Sequence, residues 1–81
     1  MASELILITG PVLSGKTWLA NLLKISLKDL IIYDEPVLDR KTLKEIKLYQ
    51  NCNGRVVITT CDANPVLKVL RPDKVITMSA P

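Results

Sequence analysis

Eight consecutive residues, Gly10-Pro11-Val12-Leu13-Ser14-Gly15-Lys16-Thr17, constrain this chain more than anything else in it. They spell G-x-x-x-x-G-K-[ST], a pattern that carries meaning only where a buried strand runs into a loop and the loop opens a helix. Both flanks comply. Glu4 to Thr9 (ELILIT) is a short aliphatic run stopped by Gly-Pro, as expected of a strand covered on both faces. From Lys16 to Lys28, Leu19, Leu22, Leu23 and Leu27 recur at three- and four-residue spacing, with Asn21, Lys24 and Lys28 turned outward. That spacing predicts an amphipathic helix.

A loop so placed can wrap a polyphosphate with its backbone N–H groups, and Gly10 and Gly15 permit the torsions this needs. The positive end of the following helix faces the same anion. Lys16 reaches the outer phosphate oxygens, and the Thr17 hydroxyl suits Mg²⁺. Gly10, Pro11, Val12, Leu13, Ser14, Gly15, Lys16, Thr17 and Trp18 form the expected nucleotide-binding segment. Trp18 is expected to pack the first helical turn, with base stacking as the alternative.

The remainder repeats the alternation. Leu30 to Asp34 (LIIYD) reads as a second buried strand, broken by Pro36. Asp39 is the expected N-cap of a helix, with Leu38 and Leu43 as its hydrophobic staple and Leu43, Ile46 and Tyr49 facing the core. Asn53-Gly54 ends that unit, and Arg55 to Thr60 (RVVITT) is a third strand. Asn64 caps a short helix over Val66 to Leu70, with Pro65 at its first position. A turn at Arg71-Pro72-Asp73 leads to a last strand, Lys74 to Met78. The order β-α-β-α-β-α-β predicts an α/β domain with a small, mostly parallel four-stranded sheet.

Composition narrows the class. With 81 residues the chain holds one domain, 1–81, stripped to its core. A hydrophobic share of 48% and 23% charged residues exclude a disordered or collagen-like chain, and a net charge of +3 does not by itself argue for nucleic acid. The apolar run Leu5 to Ile8 is far short of a membrane span and has no basic stretch before it, so neither membrane insertion nor a secretory signal is expected. Two cysteines, Cys52 and Cys61, make no disulfide or zinc framework, which fits a reduced, cytoplasmic protein.

The second strand ends in two carboxylates, Asp34 and Glu35, at the edge where open α/β sheets bind ligands. Asp34 would hold Mg²⁺ and Glu35 would polarise an attacking water, separate tasks that need adjacent acids. A water-activating glutamate points to hydrolysis rather than to phosphoryl transfer onto a small molecule.

These residues resemble a minimal P-loop NTPase of the class with an additional catalytic glutamate, which includes RecA-like, AAA+ and ABC proteins. Leu30 to Pro36 followed by Leu38-Asp39 is similar to the ABC-type Walker B segment and D-loop. Arg55 to Asp62 (RVVITTCD) is similar to the strand that normally ends Thr-His-Asp, with Cys61 in place of the histidine. Asp73 to Met78 is similar to the terminal strand. The glutamine loop, helical subdomain and signature segment of ABC proteins are absent from this sequence, and one strand-helix unit is missing. The resemblance implies a three-layer P-loop core with the Thr59-Thr60 strand between the Walker A and Walker B strands. Thr60 then becomes a polar sensor of the γ-phosphate, beside catalytic Glu35 and Lys16. It implies ATP or ADP as ligand, Mg²⁺ at Thr17 and Asp34, and slow ATP hydrolysis.

Two other readings remain open on the sequence. One is a nucleotide-binding adaptor with little turnover. The other is a nucleic-acid-stimulated ATPase, to which Lys41, Lys44 and Lys47 at three-residue spacing give weak support against an ordinary solvated face. Arg40, Arg55 and Arg71 are candidate arginine fingers. The generous hydrophobic content predicts a homo-oligomer or a larger protein partner, with two open sheet edges available.

Overall fold

A computed structural model describes residues 4–11, 15–27, 29–52 and 54–79. Four strands and three helices alternate: β1 (Glu4–Thr9), α1 (Lys16–Ser26), β2 (Leu30–Asp34), α2 (Arg40–Asn51), β3 (Arg55–Thr60), α3 (Asn64–Val69) and β4 (Lys74–Thr77). All pairings are parallel, so the sheet is wholly rather than mostly parallel, in the order β2-β3-β1-β4. β3 is inserted between the first two strands. Each strand is tied to the next by a helix because parallel neighbours need a crossover connection.

The aliphatic runs form strands because both their faces are covered, which alternating polar residues would forbid. Leu5, Leu7, Val56 and Ile58 point to one face, where Ile46 of α2 and Val66 of α3 close on them. Ile6, Ile8, Val57 and Leu30 point to the other, against Ala20 of α1. Leu38, Leu43 and Tyr49 pack on the first cluster, as the staple and the helical phase predict. Asp39 caps α2 by accepting from the Thr42 N–H at 2.8 Å.

Local differences have physical reasons. Leu19, Leu23 and Leu27 pack on the sheet, but Leu22 is exposed, and buried Ala20 takes its place. At roughly 100° per residue, residues 19, 20, 23 and 27 share one arc and Leu22 falls outside it; a small alanine also lets the helix approach the strands. Trp18 is 67% exposed, so it does not pack the first turn. α3 begins at Asn64 with Ala63 as N-cap, so Asn64 lies inside the helix rather than capping it. The capping oxygen comes two residues earlier, where Asp62 accepts from the Asn64 N–H at 3.1 Å. α1 stops at Ser26, and Lys28 and Asn53 fall outside the described residues.

Candidate functional site

All four strands end on one edge, and Lys16, Asp34, Glu35 and Thr60 converge there. The chain leaves β1 at Thr9, and the Gly10 N–H donates to the Thr60 carbonyl at 3.3 Å, which fixes the loop root between β1 and β3. Val12, Leu13 and Ser14 lie outside the described residues. The backbone re-emerges at Gly15, whose φ of 90° and ψ of 15° are left-handed. A side chain there carries a backbone penalty of about 1–2 kcal/mol, so glycine is the residue that lets loop turn into helix within one position.

α1 starts without a side-chain cap and without an acid in its first turn. Its opening N–H groups therefore present positive potential to whatever lies before them. Lys16 folds back toward the end of β1. Its ammonium donates to the carbonyls of Gly10 and Pro11, each at 2.9 Å, and lies 3.6 Å from the Cys61 sulfur. The residue is only 8% exposed, yet no carboxylate pairs with it among the described residues. A buried cation held by neutral acceptors alone is costly unless an anion joins it. Thr17 and Trp18 follow on the exposed side of the helix.

The carboxylates come from the end of β2, the strand on the far side of β3 from β1. Asp34 stands in register with Thr59 and accepts from its hydroxyl at 2.6 Å. Glu35, one residue beyond the strand, has a φ of 48°. Its N–H donates to the Thr59 carbonyl at 2.8 Å. Its carboxylate accepts from the Cys61 N–H at 2.7 Å and from the Thr60 hydroxyl at 3.2 Å. β3 thus acts as a polar bar between the lysine and the acids, with Cys61 in contact with both.

A cavity of about 300 Å³ opens beside this bar, lined by Glu35, Pro36, Leu38, Thr60, Cys61, Asp62, Pro65 and Val66. Asp34, Glu35, Thr60 and Lys16 are gathered at one edge, while Trp18 projects into solvent. Sequence reasoning missed Thr59, whose hydroxyl orients Asp34. The signal was present in parallel register, since Asp34 at the end of one strand must face a residue near the end of its neighbour.

No family model matches the chain, and no curated protein or solved structure resembles it.

Proposed function

We propose that this chain is a minimal Mg²⁺-dependent nucleotide-binding domain of P-loop type, with a three-layer core, that slowly hydrolyses ATP. One observation carries the reading: the Lys16 ammonium, buried with no counter-charge among the described residues, is held by the Gly10 and Pro11 carbonyls at the uncapped start of α1. That arrangement lacks an anion, and a polyphosphate is the anion a loop-helix junction accepts.

The donor set also suits Mg²⁺. Thr17 offers a hydroxyl and Asp34 a carboxylate, both hard oxygen ligands on exposed positions. Asp34 spends one oxygen on Thr59 and keeps lone pairs for a metal-bound water. Bound there, the ion would neutralise charge developing on the phosphates. Lys16 would exchange its carbonyl partners for phosphate oxygens. Glu35, held by Cys61 and Thr60, is oriented to accept a proton from water next to the terminal phosphate. Thr60 shares that carboxylate, which supports its role as a sensor of the nucleotide state. The position of Cys61 at the ends of both networks supports its standing where ABC-type proteins have a histidine.

The wall over the nucleotide and any arginine finger would come from a second copy or another protein in the cytoplasm. The open edges of β2 and β4 and the exposed Trp18 and Ile25 support such a partner. The alternative, an adaptor that binds ATP or ADP without turnover, is favoured by the cysteine in that position, because a thiol is not a cationic phosphate contact. Nucleotide binding and phosphate release measured on the parent, Lys16→Ala and Glu35→Gln decide between them. Turnover lost in both variants, with binding kept in Glu35→Gln, supports hydrolysis; binding without turnover in the parent selects the adaptor; no binding by the parent overturns both.

A further inference from the structure

The outward face of α2 is a row of cations that form no ion pair among the described residues. At about 100° per residue, Arg40, Lys41, Lys44 and Lys47 fall within roughly a 120° arc opposite buried Ile46. All four are exposed, and none makes an ion pair or side-chain hydrogen bond among the described residues. Most acids of the fold are engaged by other groups: Glu4 binds Arg55 and Lys74, and Asp73 accepts from the Leu5 N–H. On α2 itself, Asp39 accepts from the Thr42 N–H and offsets part of the Lys41 charge, and Glu45 accepts from the Tyr33 hydroxyl. α3 and its following turn add exposed Lys68 and Arg71 on the same side of the sheet.

The row is also placed against the helix's own electrostatics. Arg40 and Lys41 occupy the first turn, where a cation opposes the macrodipole, and the last turn has no basic residue. Folding of α2 would gain from the reverse order. Cations kept where they weaken their own helix suit an external polyanion.

Beside the row lies an apolar groove of about 360 Å³ between α2 and the edge strand β2, lined by Ile31, Tyr33, Glu45, Leu48, Tyr49 and Cys52. It brings two of the chain's three aromatic side chains together next to the cations. Burial and the Glu45 carboxylate both hold the Tyr33 pKa above the ordinary tyrosine value.

We propose that the α2 face and the adjoining tyrosine groove bind single-stranded nucleic acid, the cations tracking phosphates and the groove receiving a base. The chemistry separates this occupant from others. A lipid surface needs an apolar stripe to insert, and the row carries one exposed apolar residue, Leu48. An acidic protein would want an aromatic anchor at the centre of the face, whereas here the aromatics lie to one side. A duplex would use the cations and leave the groove empty. The inference does not depend on the nucleotide reading, since it uses none of the residues at the strand-end edge.

Fluorescence anisotropy with labelled 20-nucleotide single strands, the matching duplex and phosphatidylserine vesicles tests it. The parent should bind the single strand, with a log K against log salt slope of about −0.7 per phosphate contact. Lys41→Gln/Lys44→Gln/Lys47→Gln should weaken binding at least ~10-fold at low salt and flatten the slope by about 2. Leu48→Ala, which removes a groove wall without changing charge, should weaken single-strand binding and leave duplex binding unchanged. Lys24→Gln, on the opposite side of the sheet, should change neither. Arg40→Gln should lose affinity without lowering the melting temperature, a combination that damaged folding would not produce. No single-strand binding at low salt, binding unaffected by the triple substitution, an unchanged affinity in Leu48→Ala, or vesicle binding alone would overturn the proposal.

Discussion

The Glu35 carboxylate accepts a 2.7 Å hydrogen bond from the backbone N–H of Cys61, 26 positions further along the chain, so a single side chain pins the ends of β2 and β3 together. Its own backbone is in a left-handed conformation at φ 48°. Pinning and strain act in opposite directions. Glu35→Ala keeps a side chain at positive φ and loses the bond, and should destabilise by about 1–2 kcal/mol. Glu35→Gly also loses the bond but relieves the backbone, so its stability should lie closer to the parent's. Glu35→Gln keeps an acceptor oxygen and should fold like the parent. Urea titrations give the order; Glu35→Ala no less stable than Glu35→Gly would contradict it.

Thr59 is fully buried and donates to Asp34 at 2.6 Å. Thr59→Val keeps the shape of the side chain and removes the donor. Loss of a bond to a carboxylate that water can still reach should lower stability by about 1–2 kcal/mol in chemical denaturation. Under the proposed function, the same substitution should weaken the Mg²⁺ dependence of nucleotide binding more than binding measured in EDTA. Equal effects with and without Mg²⁺ would count against a metal role for Asp34.

Asp39 links stability to pH. Hydrogen bonds from Thr42 hold its pKa below the ordinary aspartate value. A depressed folded-state pKa means stability that is present above the unfolded value and disappears as pH falls through the folded one. Asp39→Ala should therefore melt below the parent at pH 7, with the gap closing as pH drops below about 4. Asp39→Asn retains a capping oxygen, so its gap to the parent at pH 7 should be smaller, and it should shift with pH by the same amount because only the parent titrates at this position. A melting-temperature gap between Asp39→Ala and the parent that is constant from pH 7 to pH 2 would remove the charged cap from the account.

Two glycines separate strain from overlap. A methyl on Gly54 would run into the Tyr49 ring, while among the described residues one on Gly15 would meet only the Met78 methyl, at an ordinary 3.6 Å. Gly15 instead carries a φ of 90°. Gly54→Ala should cost about 1–3 kcal/mol through overpacking, and Gly15→Ala about 1–2 kcal/mol through its backbone. Tyr49→Leu should relieve Gly54→Ala only in part, because the Tyr49 carbonyl oxygen would still lie 2.9 Å from the added methyl, and should leave Gly15→Ala unrelieved, as a double-mutant cycle would measure.

The strands were legible because each is an unbroken aliphatic run bounded by glycine, proline or acids, and β3 coincides with its expected limits. Asp39 was legible as a cap because a polar residue precedes a helical apolar phase. What local pattern could not supply was cross-chain geometry. Leu22 fits three- and four-residue spacing yet lies off the buried arc. Asn64 looks like a cap until the Asp62 carboxylate is seen to accept from the Asn64 N–H. Asp73 read as a turn residue, although its side chain accepts from the Leu5 N–H at 2.8 Å and sets the start of β4 against β1. In the candidate site, Lys16, Asp34, Glu35 and Thr60 stood out by residue type and motif, whereas Thr59 did not, because it acts only through the strand beside it.

The insertion of β3 between β1 and β2 also governs how the chain can be assembled. β1 and β2 are synthesised before β3, yet neither is the other's neighbour. Both wait for residues 55–60, so hydrogen bonding between them and the sheet centre is delayed until β3 has been made. A nascent chain halted within α2 would hold two unpaired apolar ribbons, vulnerable to self-association, and release of the third ribbon would convert both into structure in one step.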